Sequence, residues 1–107
     1  VDQKQQQFGE LNKAGINSYK EGNFSAAIKQ FEAALELAPM NTGCALNLIQ
    51  ASIQQLNKQQ KQKSRELFER CKKTFRIVDN MPLPEHHRIR YKELLQQFDK
   101  LRDEFRR

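Results

Sequence analysis

Apolar side chains recur at steps of three and four residues along nearly the whole chain. This spacing places them on one side of an α-helix, and no segment shows the apolar–polar alternation of a β-strand. The helical pattern breaks at Gly22-Asn23, at Pro39, over residues 57–63 and over residues 79–84. Only four Gly and three Pro occur among 107 residues, which argues against a turn-rich β fold. The sequence therefore predicts one all-α domain of about five helices packed as antiparallel pairs.

The first two breaks carry side chains suited to ending one helix and starting the next. Gly22 can adopt the left-handed backbone that closes a helix, and Asn23 can cap the helix that follows. Pro39 stops the second helix, because proline has no N–H to donate and disfavours helical backbone at the residue before it. Asn41 and Thr42 are cap residues for the third helix.

The last two helices are predicted from their apolar faces. Residues 57–63 are polar throughout and are predicted as a loop frayed into the start of the fourth helix, and the fifth helix begins at Pro84 or Glu85. Near its start the fifth helix buries either Ile89 or Tyr91. The inner faces otherwise consist of apolar and small residues: Ser64, Leu67, Phe68, Cys71, Phe75 and Val78 on the fourth helix, and Leu94, Leu95, Phe98, Leu101 and Phe105 on the fifth.

The net charge of +6 comes from one segment. Residues 57–76 hold eight Lys or Arg and two Glu, whereas residues 1–56 are close to neutral. One interpretation is the solvated face of a helix, where long cationic side chains are ordinary. The alternative is a phosphate-binding patch for nucleic acid, made of Lys58, Lys61, Lys63, Arg65, Lys72, Lys73 and Arg76.

A stretch of 34 residues, from Phe8 to Asn41, reads as helix, Gly-Asn turn, helix and proline. It contains small residues, aromatic residues, a leucine and a helix-ending proline at spaced positions, namely Gly15, Gly22, Phe24, Ala27, Phe31, Ala34, Leu35 and Pro39. The stretch includes the segment YKEGNFSAAIKQFEAALELAPMN, which is typical of a known repeat. In these positions the chain resembles the tetratricopeptide repeat family. The resemblance implies helix pairs stacked in a short right-handed superhelix that ends in a capping helix.

The resemblance also suggests a division of the chain. A polar tail covers residues 1–7, a first repeat residues 8–41, a degenerate second repeat residues 42–78 and a capping helix residues 84–107. More loosely, the chain is similar to the C-terminal repeat domain of some bacterial response regulators. That likeness implies a signalling role, and a receiver domain before Val1 would explain why the sequence starts with Val rather than Met.

Signatures of catalysis, metal binding or membrane attachment are missing from the sequence. His86 and His87 are adjacent, and consecutive helix residues point about 100° apart, which suits a shared metal poorly. Cys44 and Cys71 belong to no CxxC motif and fit a reducing compartment, although Cys44 stands near a helix N-terminus that can lower a thiol pKa. Without a signal peptide or membrane span, we expect a cytoplasmic, non-catalytic protein with no cofactor and no metal.

Protein binding is the remaining class of function. In stacked helix pairs the first helix of each pair lines the concave side, which receives a peptide or a helix. The predicted contact residues on that side are Asn12, Lys13, Ile16, Lys20, Leu46, Asn47, Gln50 and Gln54. Ile16 and Leu46 are either exposed there for a partner or packed under the fifth helix or a second subunit. The expected partners are a protein or peptide, with a homodimer or a receiver domain as further candidates.

Overall fold

The computed structural model describes residues 2–59 and 61–106, and these form five α-helices without a strand. The helices are α1 (Gln3–Lys20), α2 (Phe24–Leu37), α3 (Thr42–Lys58), α4 (Lys61–Asp79) and α5 (Glu85–Arg106). The all-α prediction with about five helices is therefore confirmed. None of the helices in the described ranges is long and apolar enough to span a membrane.

The predicted cap residues act at the helix ends. Gly22 has φ of 81°, the left-handed region that glycine enters without steric cost. The side chain of Asn23 accepts from the backbone N–H of Ala26 at 3.2 Å, and that of Asn41 accepts from Cys44 N–H at 2.9 Å. Each bond satisfies one of the N–H groups that the first helical turn leaves unpaired.

Two polar segments contain more helix than the sequence predicts. The segment predicted as a polar tail is helical from Gln3. In the segment predicted as a loop frayed into a helix start, α3 continues to Lys58 and α4 begins at Lys61, so the start of a helix is confirmed and the loop is shorter than predicted. Gln and Lys are good helix formers and neither segment contains Gly or Pro, so polarity alone did not mark a break. The chain leaves α3 at Gln59, whose ψ of 154° is extended.

Helix α3 is the centre of the molecule, since it packs against α2, α4 and α5 and touches α1. Eight of its nine buried residues divide between two apolar clusters, one shared with α1 and α2 and the other with α4 and α5, and the ninth, Ser52, donates a hydrogen bond to the carbonyl of Leu48. Helices α1 and α5 lie along the same side of α3. Asn47 of α3 forms side-chain hydrogen bonds with Asn12 of α1 and with Arg90 of α5.

Aromatic rings join α4 to α5. Phe68 stacks on Phe98 and Phe105 with ring centroids 5.0 and 4.4 Å apart, and Phe75 lies 4.8 Å from Phe98. Of Ile89 and Tyr91, the two candidates for burial near the start of α5, Tyr91 is the one that packs inward. Its ring lies edge-on against that of Phe75, with the ring centroids 5.8 Å apart. Ile89 is 57% exposed.

Candidate functional site

A groove of about 230 Å³ lies between α1 and α3. Phe31 of α2 closes its floor and Ile16 forms one wall, so the lining is mainly apolar. Polar groups stand at its edge: the Tyr19 hydroxyl, the Lys20 ammonium, and the amides of Asn47 and Gln50. Four predicted contact residues are therefore brought together here, namely Ile16, Lys20, Asn47 and Gln50.

The amides at the edge of the groove belong to a hydrogen-bond network across three helices. Asn47 Nδ2 donates to Asn12 Oδ1 at 3.5 Å, and Gln50 Nε2 donates to Tyr19 Oη at 3.0 Å. Arg90 Nη2, from α5, donates to Asn47 Oδ1 at 2.8 Å and also to Gln50 Oε1. The network fixes the orientation of both amides, each of which keeps a second N–H and further lone-pair capacity.

Arg90 was absent from the predicted site. Burial, the larger influence, lowers the pKa of the Arg90 guanidinium, although the nearby Tyr19 raises it. The guanidinium stays charged at neutral pH because its reference value is so high. One signal was available in the sequence: Arg90 stands four residues before Leu94, on the apolar stripe of α5. A cation on a buried stripe must find acceptors.

The other predicted contact residues lie elsewhere. Leu46 is 0% exposed, and it belongs to the cluster that contains Leu94 and Phe98 of α5. Of the two alternatives for Leu46, packing under the fifth helix is confirmed and exposure to a partner is wrong, because α5 covers this part of α3. Lys13 is exposed and Gln54 is partly buried, and neither lines the groove.

The residues of the predicted basic patch that belong to α4 lie on different sides of the helix. Lys63 and Arg70 line a pocket on the α2 side of the helix, where Arg70 pairs with Glu32 at 2.5 Å. Lys72 and Arg76 line a different groove, between α4 and α5. Lys73 is exposed and lines neither. The cations of α4 thus do not form one surface.

Two further members of the predicted patch rest on aromatic rings. The Lys58 ammonium lies 5.0 Å from the centre of the Phe24 ring, and the Arg65 guanidinium lies 5.3 Å from that of Phe105. Such cation–π contacts hold the charged group against the surface of the protein. The side chain of Lys61 lies outside the described residues.

The thiols have the properties of core residues. Burial raises the pKa of Cys44 to about 11 and that of Cys71 to about 12. The prediction that the helix N-terminus lowers the pKa of Cys44 is therefore wrong, since the desolvation of the buried thiol outweighs any effect of the helix N-terminus. Within residues 2–59 and 61–106, no three His, Cys, Asp or Glu side chains are grouped so as to hold a metal ion.

No protein-family model matches the sequence, and no curated protein or solved structure is significantly similar to it. Membership of the tetratricopeptide repeat family consequently stays a prediction from the residues quoted above.

Proposed function

We propose that this chain is a non-catalytic protein-interaction module that binds a peptide or helix in the groove between α1 and α3. The observation that carries the proposal is the make-up of that groove. The apolar side chains of Ile16 and Phe31 line it together with the amides of Asn47 and Gln50 and the Lys20 ammonium.

Size and polarity favour a peptide over a metabolite. Pockets for small molecules usually exceed about 300 Å³, whereas this groove holds about 230 Å³. It accommodates one or two apolar side chains. Asn and Gln amides can bond both the N–H and the C=O of a peptide backbone, and Lys20 supplies a charge for an acidic group.

The network through Arg90 adds preorganisation. Because Arg90 and Tyr19 hold the Gln50 amide from both sides, little side-chain freedom is lost when a ligand binds. The sequence resemblance supports a wider context for the module: a tetratricopeptide-like scaffold or signalling domain in the bacterial cytoplasm, with a response regulator's receiver domain or a second copy of the chain as further partners. Light scattering across a range of concentrations tests the homodimer.

The groove can be tested with a displayed library of random peptides selected on the wild-type protein. Ile16→Asp places a charge on the apolar wall, so we expect the selected peptides to bind at least about tenfold more weakly. Asn47→Ala should weaken them less. The matched controls are Ile89→Asp, at an exposed isoleucine of α5, and Asn17→Ala, at an exposed position of α1. Peptides that tolerate Ile16→Asp as well as they tolerate Ile89→Asp would place the binding site elsewhere.

The alternative function, nucleic-acid binding through the basic segment, is supported less well. Its cations are spread over different sides of α4, and Arg70, in the same segment, is paired with Glu32. A fluorescence titration with single-stranded RNA at about 50 mM salt, where phosphate contacts are strongest, checks it. Loss of binding in a variant with Glu at Lys61, Lys63, Lys72 and Lys73 would support the alternative.

A further inference from the structure

We propose that a second groove, between α4 and α5, binds an acidic amphipathic helix of a partner protein. This groove holds about 320 Å³ and shares no residue with the groove between α1 and α3. Its floor is apolar, formed by the partly exposed Tyr91 and Leu95 above the buried rings of Phe75 and Phe98. Three cations stand around that floor: Lys72, Arg76 and Arg102.

The chain itself neutralises the charge of this groove only in part, because Arg102 is paired with Asp99 and the Asp79 carboxylate also lines the groove. In the described residues, the side-chain nitrogens of Lys72 and Arg76 have no ion pair and no hydrogen-bond acceptor. On the other side of the same helix, Arg70 is paired with Glu32. The one carboxylate that lines the groove, Asp79, accepts a hydrogen bond from the Tyr91 hydroxyl at 3.0 Å.

Arg102, on the opposite wall, has unused donor capacity. Its Nη2 pairs with Asp99 of the same helix, and its Nε is buried beyond the reach of a ligand, so Nη1, which has no acceptor within the described ranges, is the nitrogen left for a ligand. A guanidinium presents five N–H donors in a plane and binds carboxylates through two of them at once. The groove therefore offers cations on both walls to an acidic ligand.

The spacing of these cations matches a helix. Lys72 and Arg76 are four residues apart on α4, which separates them by about 6 Å along the axis. Two Glu residues four apart on a partner helix have the same rise. Apolar residues on the adjoining stripe of that helix would lie on Tyr91 and Leu95, as in other helix-in-groove complexes.

The aromatic floor suits a helix better than single-stranded nucleic acid. Base stacking needs an exposed ring face. Phe75 and Phe98 are 5% and 2% exposed and pack on each other, so what they offer is apolar surface between side chains rather than a stacking platform. An aliphatic side chain can use such a surface, and among the rings that line the groove in the described residues only that of Tyr91 is partly exposed.

The test uses the intact protein and a pair of synthetic helical peptides about 15 residues long. One peptide carries Leu at helical spacing flanked by Glu, and its twin carries Lys in place of every Glu. By fluorescence anisotropy at about 50 mM salt we expect the acidic peptide to bind at least about tenfold more tightly than its twin, and more weakly as salt increases. Because this comparison changes only the peptide, it does not depend on how a variant folds.

Two protein variants locate the site. Lys72→Glu combined with Arg76→Glu should weaken binding of the acidic peptide at least about tenfold. Lys73→Glu combined with Lys100→Glu makes the same change in net charge at exposed positions outside the groove, and should change affinity by less than about twofold. Equal binding of the two peptides, equal losses in the two variants, or single-stranded RNA bound through Lys72 and Arg76 without peptide binding would each overturn the proposal.

Discussion

Gly15 shows how strongly one residue can depend on its neighbour across a helix pair. A Cβ at this position would lie 2.5 Å from Cε1 and 2.9 Å from Cζ of Phe31. Phe31 is 1% exposed, so its ring is packed on all sides except toward the groove that it lines between α1 and α3. Overpacking a core costs about 1–3 kcal/mol, whereas Gly→Ala in a helix gains up to about 1 kcal/mol. We therefore expect Gly15→Ala to lower the free energy of unfolding by about 1 kcal/mol or more, measured by urea denaturation.

Gly9 is the matched control, because it belongs to the same helix and a Cβ there would meet nothing within 4 Å. Gly9→Ala should raise the free energy of unfolding by about 0.5–1 kcal/mol. If both substitutions stabilise the protein, the close approach of α1 to Phe31 is not present in solution.

The buried thiols give a second prediction at this scale. Because burial raises the pKa of Cys44 to about 11 and of Cys71 to about 12, almost no thiolate exists at pH 8. We expect a disulfide reagent such as Ellman's reagent to modify the native protein only as fast as it opens, and both thiols to react at once in urea. Rapid reaction of either thiol in the native state would contradict its burial.

Single residues also show where sequence reasoning succeeds and where it stops. The caps at Gly22, Asn23 and Asn41 depend on local chemistry, and they were predictable from the sequence. The burial of Leu46 depends on α5, which lies about forty residues further along the chain. A helical wheel of α3 shows which residues share a side, but it cannot show which sides are covered.

At the scale of the element, the start of α5 docks against the start of α3. His87 lies near Gly43, and its Nδ1 is buried without a partner in the described part of the chain. Burial lowers the pKa of His87, and the neighbouring His86 and Arg90 lower it further. The unfolded chain therefore takes up a proton more readily than the folded protein as the pH falls below about 6.5. Stability from this site is present above that pH and is lost below it.

We expect His87→Gln to reduce the loss of stability between about pH 7.5 and pH 5.5, measured as the shift in urea midpoint. His86→Gln, at the exposed neighbour, keeps the His87 imidazole in place and should retain most of the wild-type shift. A shift that is unchanged in His87→Gln would mean that another group is responsible.

The elements themselves were mostly predictable, and the exceptions have one cause. Apolar spacing located the five helices, because each has a buried side that repeats with the helical period. The polar stretches 3–7 and 57–63 have no apolar pattern, and there helix propensity and continuity with a neighbouring helix decide the structure. The cations of α4 lie on different sides because of helical geometry. Residues four apart share a side of a helix, whereas the adjacent residues Lys72 and Lys73 do not.

At the scale of the whole molecule, α2, α4 and α5 all pack on α3, whereas α1 packs mainly on α2. The apolar cluster shared by α3, α4 and α5 includes Leu94, Phe98 and Leu101 from α5 alone. Burying three such side chains contributes about 5–9 kcal/mol, which is comparable with the whole stability of a typical domain, about 5–15 kcal/mol. The α4–α5 groove and the Arg90 contacts of the α1–α3 groove likewise exist only with α5 in place.

We therefore expect a chain that stops after Asn80, and so lacks α5, to lose its cooperative urea transition and most of its helical circular dichroism. The loss should exceed the share of helix removed, because Leu46 and Phe75 would be left uncovered on α3 and α4. A chain that lacks residues 1–7 is the control. Its described residues there are all exposed, so it should lose only the cap at Asp2, about 1 kcal/mol. A cooperative transition at the wild-type midpoint in the chain without α5 would show that α1–α4 fold independently, and that α5 is an attached element rather than part of the core.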